Sequence, residues 1–147
     1  KIITAITAIF CVFNVIYAVR AVKIDFEIPF TNAEEAGIFI KNKVPEKVPV
    51  VALNKFDATP VVGYSERKFY ELPSGTPFSY FKWVDKIYVP TESELKLFGQ
   101  YKGVGGIILL SPKPIDTDRY PSAQLWQKFD KINYKNESYF IYTLSVK

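Results

Sequence analysis

The chain has 147 residues, enough for one ordinary domain with a sizeable core. Hydrophobic residues make up 48% of it and charged residues 23%, a composition that excludes an intrinsically disordered chain. The net charge is +4, but three of the 19 basic residues (Lys1, Arg20 and Lys23) flank the apolar first segment, which leaves 16 basic and 15 acidic side chains from Asp25 onward. Because this balance offers no footprint for a phosphate backbone, a nucleic acid is excluded as a partner.

The sequence contains no histidine, one cysteine and no methionine, and each of these counts limits how the chain can be interpreted. There is no histidine, the residue that most often acts as a general base near neutral pH. The single cysteine, Cys11, rules out an internal disulfide and a cysteine-based zinc site, and it is expected to be a small buried hydrophobe. Methionine is absent even at position 1, so the sequence is expected to be a fragment of a longer protein or a processed product.

The first segment, residues 2–19 (IITAITAIFCVFNVIYAV), carries no formal charge. As a helix it would be about 27 Å long, close to the hydrocarbon thickness of a bilayer. Its polar side chains and Cys11 recur at steps of three and four and so share one face, which suits a helix with helical neighbours. The segment therefore predicts a transmembrane helix, with residues 1–24 as the helix and its flank.

Two other interpretations of this segment remain open. A cleavable secretion signal needs a positive start, an apolar run and a small-residue cleavage site, which Lys1 and the tripeptide Val19-Arg20-Ala21 could supply. A buried core helix is the other alternative, although so long an uncharged run favours a membrane. The positive-inside rule leaves the orientation open, because basic residues flank both ends.

From Asp25 onward the sequence changes to short helical and strand-like stretches. Thr31-Asn32-Ala33-Glu34 has the pattern of a capping box and predicts a helix to about Lys43. Residues 48–53 (VPVVAL) then predict a buried strand. Asp57 is predicted to cap a short helix over residues 57–63.

The middle of the chain is rich in aromatic residues. Residues 68–72 and 78–83 predict two strands, separated by the turn Pro73-Ser74-Gly75. A second capping box, Thr91-Glu92-Ser93-Glu94, predicts a helix to about Tyr101.

The last part of the chain continues the alternation of helices and strands. The apolar run 107–110 predicts a buried strand, residues 111–120 a loop, residues 121–130 a helix, and residues 139–146 a strand. The whole pattern predicts an α/β fold: one N-terminal transmembrane helix, followed by a small three-layer domain over residues 25–147. Helices are expected to cover both faces of a mainly parallel sheet.

Three motifs are candidates for ligand binding, but for each of them an ordinary structural role is the favoured interpretation. Gly103, Gly105 and Gly106 precede a strand, whereas a phosphate-binding loop follows a strand and precedes a helix. Asp116 and Asp118 lack the further oxygen ligands that calcium requires. The segment Ser65-Glu66-Arg67-Lys68 could meet an anion at the end of the sheet, but solvated surface charge is the favoured interpretation.

Other chemical signals in the sequence are weak. The sequon Asn136-Glu137-Ser138 would matter only in a eukaryotic secretory route. Aromatic residues cluster between Tyr64 and Trp83, where some are expected in the core and others at a bilayer interface. No serine, cysteine or threonine has a histidine to activate it, and no acid pair is identifiable. The sequence therefore predicts no catalytic, cofactor-binding or metal-binding residue.

Four segments resemble a family of membrane enzymes. They are residues 28–36 (IPFTNAEEA), 50–53 (VVAL), 58–64 (ATPVVGY) and 68–70 (KFY). They resemble the region after the last membrane helix in bacterial polytopic glycosyltransferases of the GT-C type, the dolichyl-phosphate-mannose-protein mannosyltransferase-like group. In that family a hydrophobic helix leads to a Pro-Phe-Ser/Thr segment and an alanine-containing helix, followed by a strand, a tyrosine-ended helix and an aromatic strand. The resemblance covers residues 2–83.

The resemblance implies a function for the parent protein. It would transfer a sugar from a polyprenyl-phosphate donor to an extracytoplasmic acceptor, and this chain would be its non-catalytic C-terminal extracytoplasmic module. The family's catalytic acid lies in an early loop that no position here matches, so no catalytic residue is carried over. The implied location is the cell (inner) membrane. The implied partners are the lipid bilayer, the other transmembrane helices of the parent protein and a polyprenyl-phosphate sugar, with no cofactor.

Two other functions stay open. The chain could be a single-pass membrane-anchored or secreted α/β binding domain for an unknown ligand. It could instead be a small soluble α/β enzyme that uses only carboxylates, lysine or tyrosine.

Overall fold

A computed structural model of the chain describes residues 2–27, 31–80, 88–130 and 138–146. In chain order the elements are α1 (Ile2–Glu27), α2 (Ala33–Lys43), β1 (Val50–Ala52), α3 (Lys55–Ser65), β2 (Phe69–Glu71), β3 (Thr76–Phe78), α4 (Glu92–Tyr101), β4 (Gly106–Ser111), β5 (Ala123–Phe129) and β6 (Tyr139–Ser145). The strand predicted at residues 78–83 is wrong where it can be compared: β3 ends at Phe78, residues 79 and 80 are not in a strand, and residues 81–83 lie outside the described residues.

The six strands form one mixed sheet in the order β3-β2-β1-β4-β6-β5. Strand β1 runs parallel to β2 and β4, whereas the β2–β3, β4–β6 and β5–β6 pairs are antiparallel. The fold is therefore α/β, but the prediction of a mainly parallel sheet is wrong. Connection length explains two of the antiparallel pairs, β2–β3 and β5–β6: residues 72–75 and 130–138 are too few for the crossover of about a dozen residues that parallel neighbours need.

Strand β5 replaces the helix predicted at residues 121–130. Its apolar residues Ala123, Leu125 and Phe129 fit a strand's alternation as well as one face of a helix. Pairing with β6 decides between the two, since Leu125 lies opposite Tyr142 and Phe129 opposite Tyr139. Trp126 is accommodated by a bulge, where the register shifts between Leu125 and Gln127.

The buried core lies on both faces of the parallel strands. Val50 and Ala52 pack under α2 and α3, while Val51 points to the opposite face, which α4 covers. Strand β4 alternates in the same way, with Ile108 on the first face and Ile107 on the second. Continuous apolar runs result because neither face of these strands meets water.

Of the two predicted capping boxes, one forms and the other does not. The Thr91–Glu94 capping box is confirmed, with both of its reciprocal hydrogen bonds present. The box predicted at Thr31 is wrong, because the Thr31 hydroxyl accepts from the Ala33 amide (3.1 Å) rather than from Glu34. Helix α2 begins one residue later than the motif requires, with Asn32 at its N-cap.

Helix α1 overturns the transmembrane prediction for residues 2–19. Within the described residues, no helix combines the length and the apolar character that crossing a bilayer requires. The helix continues beyond Val19 through the charged Arg20 and Lys23.

The surroundings of α1 are also not those of a core helix. It packs extensively on none of the other described helices and strands. Its large apolar side chains with described positions are exposed by 54% (Val22) to 69% (Phe10). Cys11 is likewise exposed, so the expectation that it is a small buried hydrophobe is wrong. The exposed apolar side chains of α1 therefore form a large apolar surface.

Candidate functional site

The carboxyl ends of β1 and β4 lie where α/β sheets usually bind ligands, because the strand order reverses between these neighbours. Here Asn54 caps α3: its Oδ1 accepts from the Phe56 amide (3.0 Å) and its Nδ2 donates to the Asp57 carboxylate. The Tyr139 hydroxyl donates to the Asp57 carbonyl oxygen (2.9 Å). The Ser111 hydroxyl donates to the Lys113 carbonyl oxygen (2.6 Å). These polar groups therefore hold the local loops in place.

At the opposite end of the sheet, the segment Ser65-Glu66-Arg67-Lys68 is divided between surface and structural roles. Glu66 pairs with Lys41 (2.6 Å) on the surface, and Lys68 is exposed. The Arg67 guanidinium instead donates to four carbonyl oxygens of the α2–β1 loop, those of Val44 (2.7 Å), Pro45 (3.1 Å), Glu46 (3.1 Å) and Val48 (2.8 Å). Burial lowers the pKa of Arg67, although the nearby Glu46 opposes the shift.

Arg67 is thus a structural clamp rather than a free anion ligand. Sequence reasoning did not find this role, because the accepting carbonyls lie about twenty positions upstream and carry no residue-specific signal.

A network of hydrogen bonds surrounds the start of α4. Inside the capping box, Thr91 and Tyr88 both donate to the Glu94 carboxylate. Glu92 accepts from the Ser122 amide (3.0 Å) and from Lys96 (2.7 Å), so it joins α4 to the loop that precedes β5. The Tyr120 and Arg119 side chains complete the connection by donating to the Pro90 and Val89 carbonyl oxygens, both at 2.6 Å.

This network shifts several pKa values. Hydrogen bonds from the Thr91 backbone and from Tyr88 lower the pKa of Glu94. Burial alone would raise the pKa of Glu92, but the hydrogen bonds from Lys96 and Ser122 outweigh it, and the pKa lies below the ordinary 4.5. Tyr88 has a raised pKa because it donates to Glu94, and burial raises that of Tyr120.

Acid is expected to loosen the start of α4. Since the folded-state pKa values of Glu92 and Glu94 lie below 4.5, their ionised forms stabilise the fold above that pH. This contribution is lost as the pH falls below 4.5 through the folded-state values. Urea midpoints measured from pH 7 down to pH 3 are expected to fall less steeply in Glu94→Gln than in the wild type. Glu34→Gln, at an exposed carboxyl in the first turn of α2, serves as the control; equal slopes for all three proteins would contradict the prediction.

A cleft of about 640 Å³ lies between α4 and the turn that joins β2 to β3. The turn contributes Leu72 to Gly75, and Gly75 adopts a φ of +65° that favours glycine. Helix α4 contributes Phe98 and Tyr101, of which Phe98 is buried and Tyr101 is 84% exposed. Tyr70 lies beside them, with its ring centroid 5.3 Å from that of Phe98. The cleft is therefore a candidate binding site of the described chain.

The other sequence motifs have structural roles where they are described. Gly103, with a φ of +66°, ends α4, and its amide donates to the Gln100 carbonyl oxygen (2.9 Å). Asp116 Oδ1 accepts from the Asp118 amide (3.0 Å), and the described residues contain no group of three or more potential metal ligands.

The sequon and part of the aromatic cluster lie outside the described residues. Asn136, Glu137, Phe81 and Trp83 belong to the segments that the structure leaves out. Within the described part of the aromatic cluster, Phe69 and Phe78 are buried, whereas Tyr64 and Tyr80 are exposed.

Buried Asn32 has an unusual side chain at the start of α2. The residue is 1% exposed. Among the buried side-chain nitrogen and oxygen atoms of the described residues, its Nδ2 lacks a hydrogen-bond partner. Burying an unpaired amide is unfavourable.

Comparison with known proteins adds no relative: the chain matches no protein-family model, no curated protein and no solved structure at a significant level.

Proposed function

We propose that this chain is a non-catalytic module of a membrane glycosyltransferase that uses a polyprenyl-phosphate sugar donor, with α1 in contact with lipid and the α/β domain on the extracytoplasmic side. The observation that carries the proposal is the exposed apolar surface of α1.

The apolar surface of α1 is too large to be left in water. Ten large apolar side chains between Ile6 and Val22 are more than half exposed. They lie on all sides of the helix rather than along one stripe, which is the pattern of a helix in apolar surroundings. At about 1.5–3 kcal/mol for each side chain that is fully buried, covering this surface stabilises the protein by on the order of 10 kcal/mol.

Charge at the end of this surface favours lipid as the covering partner. Arg20 and Lys23 follow the uncharged run within one helical turn of each other, and both are exposed, while the acidic Asp25 and Glu27 end the same helix. A basic side chain at an anionic bilayer surface contributes about 1 kcal/mol. Apolar residues next to basic ones therefore match acyl chains next to phosphate headgroups.

The order of elements in the α/β domain supports the glycosyltransferase part of the proposal. The alanine-containing helix α2 is followed by β1, by α3 with Tyr64 in its last turn, and by β2 with Phe69 and Tyr70. This is the order that the family resemblance implies.

Flotation of the full chain tests the lipid contact. The wild type is expected to float with phosphatidylethanolamine–phosphatidylglycerol vesicles in a density gradient. A variant with Ile9→Lys, Phe13→Lys and Ile16→Lys is expected to stay at the bottom, because charged side chains cannot enter acyl chains at low cost.

The matched control carries three lysines on the α/β domain, Ile38→Lys, Leu97→Lys and Leu125→Lys, where the replaced side chains are also exposed. It is expected to float like the wild type. A wild type that does not float, or a control that sinks with the α1 variant, would reject the lipid contact.

The donor part of the proposal has its own test. The full chain in vesicles that contain a diazirine-labelled polyprenyl phosphate is expected to be labelled on illumination, and unlabelled polyprenyl phosphate is expected to suppress the label. The donor assignment would be rejected if an excess of ordinary phospholipid suppressed the labelling as well as unlabelled polyprenyl phosphate does.

One observation favours the alternative function, a ligand-binding domain outside such an enzyme. It is the cleft of about 640 Å³ beside α4, whose size is typical of small-molecule sites.

A further inference from the structure

Three aromatic rings surround the ammonium group of Lys102 at the edge of the cleft. The Lys102 Nζ lies 4.7 Å from the ring centroid of Tyr70, 5.4 Å from that of Phe98 and 5.7 Å from that of Tyr101. All three distances are within the range at which a cation is attracted to the face of a ring. The rings come from two elements, β2 and α4, so the arrangement is made by the tertiary fold.

The rings are the principal partners of this charge. Among the described residues no carboxylate forms a salt bridge with Lys102. Phe98 is held in the core and Tyr70 is half-buried, so two of the three rings keep their positions whether or not Lys102 lies between them. The cluster is therefore a preformed electron-rich surface that its own lysine occupies.

Open space adjoins this ring cluster. Lys102 lines the cleft of about 640 Å³, and it also lines a second cavity of about 490 Å³ on the side of Glu66 and Arg67. Tyr70 lines this second cavity rather than the larger cleft. The four basic side chains of the second cavity (Lys47, Arg67, Lys68 and Lys102) outnumber its two carboxylates (Glu46 and Glu66), so it is the less favourable of the two for a cation. The larger cleft instead contains the Glu94 carboxylate, which also accepts the hydrogen bonds of Thr91 and Tyr88. A cationic ligand would enter from the larger cleft.

We propose that Tyr70, Phe98 and Tyr101 form a binding site for an organic cation of the quaternary-ammonium class, and that Lys102 occupies this site in the absence of the ligand. A primary ammonium is compact and strongly hydrated. A quaternary ammonium presents methyl groups to the rings, and aromatic cages commonly recognise such groups. The inference goes beyond the proposed function and does not depend on it, because the site lies wholly in the α/β domain.

Choline chloride is the probe for this site. Titrated into the full chain in detergent without vesicles, it is expected to shift the ring proton resonances of Tyr70 and Tyr101. In Lys102→Ala it is expected to bind about fivefold more tightly than in the wild type, since the competing ammonium is gone and the site is always open. The matched control is Lys68→Ala, at an exposed lysine that contacts none of these rings in the described structure; its affinity is expected to equal that of the wild type.

An uncharged isostere separates cation recognition from simple apolar binding. Dimethylbutanol, in which carbon replaces the quaternary nitrogen of choline, is expected to bind Lys102→Ala at least about tenfold more weakly than choline. Adding Tyr70→Leu to Lys102→Ala is expected to abolish choline binding while the urea midpoint shows a folded protein. Two results would overturn the proposal. One is a folded Lys102→Ala whose ring proton resonances do not shift with choline, and the other is equal affinity of Lys102→Ala for choline and dimethylbutanol.

Discussion

Gly37→Ala is expected to lower the free energy of unfolding by about 2–3 kcal/mol. Helices α2 and α3 approach closely at this glycine. A Cβ atom there would lie 2.5 Å from the Tyr64 Cβ and 3.0 Å from both the Ser65 amide nitrogen and the Val61 carbonyl oxygen. Because these atoms belong to the backbone or lie next to it, no rotamer change relieves the overlap and the two helices must separate. Urea unfolding followed by circular dichroism measures the loss.

Gly63 provides the matched control for Gly37. It lies in α3, is exposed, and a Cβ atom added to it would meet nothing within 4 Å. Gly63→Ala is therefore expected to stabilise the protein by about 0.5–1 kcal/mol, since alanine loses less backbone freedom than glycine on forming a helix. If the two alanine variants changed stability equally, the close approach of α2 and α3 would be contradicted.

Arg67→Ala is expected to destabilise the fold by about 2–4 kcal/mol. The variant loses four hydrogen bonds from one guanidinium to the α2–β1 loop, and two of the freed carbonyl oxygens, those of Val44 and Val48, are at part-buried positions. The loop leads directly into β1, the strand between β2 and β4, so its loosening affects the middle of the sheet. The same urea experiment measures the effect.

Arg67→Lys distinguishes geometry from charge. Lysine keeps the positive charge but cannot span four carbonyl oxygens with one planar group, so at least half of the destabilisation is expected to remain. Lys68→Ala, at an exposed neighbour, is expected to change stability by less than about 0.5 kcal/mol. The structural role of Arg67 would be contradicted if the backbone amides of residues 44–48 exchanged no faster in Arg67→Ala than in Lys68→Ala.

Short sequence patterns predicted correctly those structural features whose interactions lie within a few residues of one another in the chain. Thr91 and Glu94 form their capping box because both partners lie within one helical turn, so the motif contains the whole interaction. The apolar runs at β1 and β4 predicted buried strands because burial on both faces leaves no polar positions to alternate. A similar local signal failed at Thr31, where the helix starts one residue later.

The candidate site could not be predicted from the same signals. Tyr70 and Phe98 belong to elements separated by residues 72–91, and each was expected to be an ordinary strand or helix residue. Their rings meet over Lys102 only because α4 covers the face of the sheet to which β2 contributes. No short motif contains such a cluster.

By itself, the sequence determined the α/β class, the buried strands β1 and β4, and the absence of a histidine-based active site, because composition and short-range periodicity carry that information. Only the tertiary structure decided the mixed sheet, the strand at Ala123–Phe129, the exposure of α1 and the role of Arg67. The physical reason is that each of these depends on whether a segment distant in the chain packs against the residues concerned, which it does for the sheet and for Arg67 and, among the described residues, does not for α1. Leu125 extends as a strand because β6 offers it hydrogen bonds, and Arg67 is ordered because carbonyl groups about twenty residues earlier accept from it.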